Sequence, residues 1–296
     1  MDQKLKGYLK LTRFNEYVYF VIVTTLLGVA AARGEFNLRF VLVLIANLLS
    51  VWFAFMINDV EDAPDDALNE EKINRNPVSA GMLSVREAKT ASFLVMLVSA
   101  AFYIILGGKA MLYGLFSLVL GVLYSYHGVR LKSIAFLDLL SHCWLLAGLQ
   151  TLTGYYTFTN EFTQTLLFPL LFVICVSLYG QLFNEIRDFD GDKRTTMRHT
   201  AIVLGEKRAH FVMLAVLALG AICGVITFFF LKIIPLWVIM LMVVLALIMG
   251  LPALLKIRSG VSSMEIQTPL HKPLERAAAI ALLVGYLAPV LMSLFS

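Results

Sequence analysis

Charge is scarce in this chain: 15% of its 296 residues are Asp, Glu, Lys or Arg, against about 25% in an ordinary soluble domain. With 59% hydrophobic residues, there is too little polar surface to cover a water-soluble globule of this size. Cysteine is scarce as well. The three present, Cys143, Cys175 and Cys223, lie in apolar stretches without metal-ligand spacing, which excludes a disulfide framework or a zinc module. No segment interleaves basic and aromatic residues as a nucleic-acid surface would. The net charge of +4 is accounted for by basic residues flanking the apolar runs, where they face anionic lipid. The basic N-terminus runs into a full-length apolar stretch without a small-residue cleavage site, so the first helix is expected to be retained.

Long apolar runs are abundant. Crossing about 30 Å of hydrocarbon takes about 20 residues of helix, and nine stretches qualify: 15–32, 37–57, 88–106, 110–126, 134–155, 164–183, 209–231, 233–254 and 277–295. The expected fold is all-α integral membrane, a nine-transmembrane-helix bundle with a central cavity capped by cytoplasmic loops. Prolines at 169, 235, 252 and 289 predict kinked or tilted helices. Of the 24 Lys and Arg residues only Arg33, Arg39, Lys109 and Lys232 fall on the side opposite the N-terminus. The positive-inside rule therefore places the N-terminus in the cytoplasm and the C-terminus outside.

The acids are not scattered. Asp59, Glu61, Asp62, Asp65, Asp66, Glu70 and Glu71 crowd one segment, and Glu185, Asp188, Asp190 and Asp192 another. Both carry the spacing N-x3-D-x3-D: Asn58, Asp62, Asp66 and Asn184, Asp188, Asp192. Each follows an even-numbered span, the second and the sixth. This suggests one transmembrane domain over 1–296 made of two related four-helix halves, about 15–126 and 134–254, with a ninth helix at 277–295.

Residues at i, i+4 and i+8 share one helix face, so each triplet can aim an amide and two carboxylates at one point. Carboxylates this dense repel one another unless a cation compensates them. Magnesium suits such oxygens, since it is held by one or two carboxylates together with substrate phosphates. Two triplets imply two ions, which could bridge to a diphosphate and stabilise charge growing on it. A single acidic stretch would read as a solvated loop with surface ion pairs; two matched ones favour the metal. Pro64 is expected to unwind the helix between Asp62 and Asp66, and Gly191 to weaken it between Asp188 and Asp192.

Asn58-Asp59-Val60-Glu61-Asp62-Ala63-Pro64-Asp65-Asp66, followed by Asn74-Arg75-Asn76-Pro77-Val78-Ser79-Ala80-Gly81, resembles the first signature of the UbiA superfamily of intramembrane prenyltransferases. Asn184-Glu185-Ile186-Arg187-Asp188-Phe189-Asp190-Gly191-Asp192 resembles the second, and Tyr124-Ser125-Tyr126-His127-Gly128-Val129-Arg130-Leu131-Lys132 is similar to the family's segment after its fourth helix. Span number and loop sizes agree, so the similarity covers the whole chain. It implies that Asn58, Asp62, Asp66, Asp188 and Asp192 coordinate magnesium (Mg2+), with Asn184 supporting the second site. Arg75 and Lys132 would contact the diphosphate, and Tyr124 would lie near the reacting carbon. Arg130, Lys193, Arg13 and Arg198 are further candidates for substrate contacts. By the same resemblance the partners are an isoprenyl diphosphate donor, a lipophilic or aromatic acceptor and membrane lipid. The diphosphate would leave as an anion and the acceptor would capture an allylic carbocation, which aromatic faces can stabilise.

Asp138 and His142 stand four residues apart inside the fifth span, where ionisable groups are expected to be functional. Two readings stand: the pair deprotonates an acceptor, or Asp138 sits at the mouth of the helix and His142 is a hydrogen-bonded core residue. Two other activities compete with the transferase. A membrane terpene cyclase of the same superfamily would capture the cation with the substrate's own double bond. A secondary transporter would carry midplane charges on broken helices, whereas these acids lie at helix ends.

Overall fold

The computed structural model describes residues 2–68, 72–192, 198–255 and 263–295, with backbone alone for residues 191, 192, 263–268, 294 and 295. The described residues are helical apart from connecting loops and an isolated bridge between Ile134 and Arg198. A short amphipathic helix, α1 (Gln3–Leu11), precedes α2 (Phe14–Ala31). It buries Gly7 and Leu11 and exposes Leu5, Leu9 and its lysines, as suits a helix lying along the membrane surface.

Two of the long helices begin on a side-chain cap. Asn37 accepts from the Phe40 N–H at the start of α3 (Leu38–Asp66). Ser84 and Glu87 form a reciprocal capping box at the start of α4 (Val85–Leu106). There follow α5 (Gly108–Ser125), a 3-10 turn at Leu131–Ser133, α6 (Leu137–Cys143), α7 (Leu149–Tyr156), α8 (Gln164–Arg187), α9 (Phe189–Asp192), α10 (Thr200–Leu204), α11 (Glu206–Val225), α12 (Leu236–Leu254) and α13 (Ser263–Phe295).

Eight of these helical stretches are long and apolar enough to cross a membrane, among the described residues. The fifth expected span is α6 and α7 joined by a π-turn at Trp144–Gly148. Its twenty consecutive helical residues, Leu137 to Tyr156, match in length the about 20 that a crossing takes. A π-turn disturbs the backbone hydrogen-bond ladder. Here the Gln150 side chain donates to the Leu145 carbonyl at 2.8 Å, satisfying it from within the same helix.

A polar seam runs through the bundle, buried among apolar side chains. Asn47 is its hub: its amide donates to Thr25 Oγ1 (2.8 Å) and the Gln150 carbonyl (3.0 Å) and accepts from Tyr103 Oη and Thr153 Oγ1 (2.8 Å each). That joins α2, α3, α4 and α7. Alongside it α2 and α7 approach so closely that a Cβ on Gly28 would collide with the Thr151 carbonyl, and one on Gly154 with that of Thr25. Small residues permit this contact, the usual way helices associate without a hydrophobic drive between them.

Helix length sets the height of the site. The 29 residues of α3 span about 43 Å at a rise of about 1.5 Å per residue, well beyond the hydrocarbon thickness. Its last turns therefore emerge from the apolar layer carrying Asn58, Asp62 and Asp66.

Candidate active site

The end of α3 and the loop after α5 build the first half of the site. Asn58 Nδ2 donates to Asp62 Oδ2 at 3.1 Å, one turn on, and Asn58 Oδ1 accepts from Ser125 Oγ at 3.2 Å. Lys132 Nζ lies 2.8 Å from Asn58 Oδ1 and 2.5 Å from each Asp62 oxygen. Arg130 Nη2 adds contacts of 3.0 Å to Asp62 Oδ1 and 2.7 Å to Asp65 Oδ2. Two cations thus converge on the first triplet. Their loop is bent sharply to bring them there: Arg130 has a φ of 47° and Phe136 a φ of 68°, left-handed values that non-glycine residues adopt at a cost of order 1–3 kcal/mol.

Charge and burial oppose each other on these cations. Burial pushes the Lys132 ammonium below its ordinary value against the pull of the Asp62 carboxylate. Burial also works against Arg130, but hydrogen bonding to Asp65 and the charge of Asp62 outweigh it and raise its value.

Asp66 is held from the other side. Asn76, 1% exposed, donates to Asp66 Oδ2 at 2.9 Å and to the Asp59 carbonyl at 2.7 Å. Ser79 Oγ donates to the Ala63 carbonyl at 2.8 Å. These side chains clamp the end of α3, and the helix runs through Pro64 to Asp66 instead of unwinding as the proline suggests. Pro64 falls in the last turns, where its missing N–H removes a single bond.

Arg75 lies elsewhere: its guanidinium is 2.8 Å from Glu16 and its side chain is 55% exposed. Glu16 also pairs with Arg13, which reaches Asp59 at 3.1 Å and lies over the Phe55 ring. Arg13 therefore contacts the residue beside Asn58, not the triplet itself.

The second triplet is divided. α8 ends at Arg187, and Asp188, its C-cap, leaves helical geometry (φ −92°, ψ 3°). Asp192 belongs to the separate turn α9. The break thus falls at Asp188, one turn earlier than Gly191 suggested. The Asp188 side chain is about half exposed and paired with Arg187 at 2.8 Å and 3.0 Å. Asn184 sits in the last turn of α8. The side chain of Asp192 and all of Lys193 lie outside the described residues, while Arg198 is exposed at the bridge to Ile134.

Tyr124, half-buried, stands in the last turn of α5, next to the Ser125 that bonds Asn58. Its ring centroid is 6.4 Å from that of His142. His142 Nδ1 is 3.4 Å from Ser177 Oγ, while Asp138 bonds Thr200 and its own neighbour Leu139. The two thus have separate partners.

Lys132 and Arg130 thus converge on Asp62 at the end of α3, while the second acidic motif follows the end of α8. The family profile described as the UbiA prenyltransferase family matches residues 21–264. The chain belongs to that family. This UbiA-family protein is thus a multi-pass membrane enzyme that transfers prenyl groups.

Among its relatives, the digeranylgeranylglyceryl phosphate synthase of Sulfolobus acidocaldarius is 26% identical over 217 residues, 73% of this chain and 75% of that one. A UbiA homologue from Archaeoglobus fulgidus, solved bound to GPP and Mg2+, shares the fold with a TM-score of 0.67 at 21% identity, over 93% of this chain and 99% of that one. The apo structure of a UbiA homologue from Aeropyrum pernix K1 gives a TM-score of 0.70 at 19% identity, covering 92% and 98%.

Several residues at the site carried no signal of their own in the sequence. Asn76 stood within the quoted Asn74–Gly81 run, but nothing distinguished it as the strap between Asp59 and Asp66. Ser125 likewise lay in the Tyr124–Lys132 run, without a reason to assign it to Asn58. Glu185 read as one more acid of the second motif.

Proposed function

We propose that this UbiA-family enzyme binds an isoprenyl diphosphate through magnesium held by its two acidic triplets, and passes the prenyl group to a lipophilic acceptor. The carrying observation is the convergence of Lys132 and Arg130 on Asn58 and Asp62. The donor set fits the metal: Asn58, Asp62 and Asp66 offer hard amide and carboxylate oxygens, and Asp62 already draws both Lys132 and Arg130. Asn58, Asp62 and Asp66 would hold one ion, and Asp188 and Asp192, supported by Asn184, a second. Arg130 Nε is buried without a hydrogen-bond partner, a donor that a diphosphate oxygen would satisfy.

Bound magnesium supplies positive charge that stabilises the departing diphosphate. Lys132 and Arg130 turn from the carboxylates to diphosphate oxygens. The ring face of Tyr124, beside the Ser125 that bonds Asn58, can stabilise positive charge developing on the allylic carbon. Arg75 pairs with Glu16 and is half exposed, open to a contact at the rim. The side bearing these loops faces the cytoplasm, because it carries nearly all of the Lys and Arg residues.

The synthase relative's name points to a glyceryl phosphate that already bears one prenyl ether as the first acceptor to test. Purified enzyme in lipid would be given isotope-labelled geranylgeranyl diphosphate with and without that acceptor. A labelled, doubly prenylated glyceryl phosphate supports the reading and names the acceptor. Labelled product formed without any acceptor would replace transfer by cyclisation, and turnover only with a quinone precursor or aromatic acid would move the acceptor to that class.

A further inference from the structure

Asp138 and Glu185 are buried, 0% and 5% exposed, and lie outside both triplets. Both carboxylates are spent on one short stretch of backbone. Asp138, in the first turn of α6, accepts the Thr200 N–H at 2.6 Å on Oδ2 and the Thr200 hydroxyl at 2.5 Å on Oδ1, which also accepts the Leu139 N–H at 2.7 Å. Glu185, on α8, accepts the Ala201 N–H at 3.0 Å on Oε2, lies 3.3 Å from His199 Nδ1 through the same oxygen, and accepts from Gln181 at 3.0 Å on Oε1. The Phe136 N–H closes the arrangement on Thr200 Oγ1 at 2.6 Å.

Asp138, Glu185 and His199 offer donor atoms within 4.8 Å of one another, a grouping that in isolation would suggest a metal. Here backbone N–H groups, a hydroxyl and an amide already fill the carboxylates, which marks an anchor. What it joins is informative. Asp138 follows Lys132 by six residues, across a 3-10 turn and the strained Phe136. Glu185 stands next to Asn184 and three residues before Asp188. At Thr200–Ala201, therefore, the segment that follows Lys132 and the helix that carries Asn184 hold adjacent backbone N–H groups. Buried carboxylates with fully satisfied oxygens resist displacement, because moving either leaves donors unpaired in a dry environment.

We propose that Asp138 and Glu185 are positioning residues: by gripping Thr200 and Ala201 from two sides they fix the Lys132 segment relative to the second triplet, so that one diphosphate and its two ions fit both halves of the site at once. This rests on the metal-diphosphate reading above. It explains why two acids lie buried beside a site that already has its ligands. It also gives Asp138 a role apart from His142.

The test is binding of Mn2+ to the full-length protein in detergent with inorganic pyrophosphate, followed by electron paramagnetic resonance, alongside magnesium titration of turnover. Asp138→Asn and Thr200→Val are expected to raise the metal concentration for half occupancy about tenfold, as loss of outer-shell support does elsewhere, and to raise the magnesium requirement of turnover in parallel. Turnover at saturating metal should stay near that of the wild type. Thr200→Ser, which keeps the hydroxyl donor, should restore the wild-type midpoint. Lower turnover at an unchanged metal midpoint would overturn the proposal, since a merely structural or proton-transferring group behaves that way; so would variants identical to the wild type in both measurements. If the wild-type protein itself bound no Mn2+ with pyrophosphate, the metal-diphosphate reading would fall and this inference with it.

Discussion

Lys132 Nζ lies 2.5 Å from both carboxylate oxygens of Asp62, so the residue that the family resemblance assigns to the diphosphate rests on the residue it assigns to the metal. The contact couples the two roles. The ammonium offsets part of the carboxylate charge gathered at the end of α3.

Replacing Lys132 by Met keeps its length and removes its charge. A hydrogen bond to a charged group is worth about 1.5–3 kcal/mol, so kcat/KM for the prenyl diphosphate should fall roughly ten- to a hundredfold. Steady-state kinetics over a range of donor concentrations would show it. Lys132→Arg should recover little, because a planar fork does not replace a compact ammonium. An unchanged kcat/KM in Lys132→Met would remove this residue from the donor site.

Asn47 satisfies partners on three other helices, so Asn47→Leu strands Tyr103 Oη and its neighbours inside the bundle. Loss of about 1–3 kcal/mol is expected, towards the lower end because hydrogen bonds inside membranes average about 0.6 kcal/mol each. Thermal unfolding in detergent should show a clearly lower Tm, and an unaltered Tm would mean that the seam is energetically idle.

The α2–α7 contact makes a sharper contrast. Gly28→Val places atoms inside the Thr151 carbonyl and should lower Tm strongly or prevent folding. Gly180, in α8, has open space around its would-be Cβ; Gly180→Ala should leave Tm unchanged or raise it, since alanine favours helix over glycine by about 1 kcal/mol. Equal effects at the two positions would contradict the close approach of α2 and α7.

The crossings were legible because lipid demands long apolar helices and little else at this scale. The spacing of Asn58, Asp62 and Asp66 was legible because it is local to one helix. The fifth span hid its π-turn, which depends on Gln150 returning to Leu145 and leaves hydropathy unchanged. The second triplet hid its break at Asp188, where local propensity pointed to Gly191. Least legible were pairings distant in sequence, such as Asp138 with Thr200, 62 residues apart. A buried carboxylate is recognisable as costly from sequence, but its partner is set by the packing of α6, α8 and α10.

The central claim is that both acidic triplets act together through magnesium on one diphosphate. The most direct measurement is pyrophosphate release from labelled geranylgeranyl diphosphate by purified enzyme with its acceptor, for the wild type, Asp62→Asn and Asp188→Asn, before and after chelation and magnesium restoration. The account predicts that chelation abolishes release, that magnesium restores it in the wild type, and that each variant stays slower by on the order of a hundredfold or more even at high magnesium. Release that survives chelation, or an Asp188→Asn enzyme as active as the wild type, would contradict it.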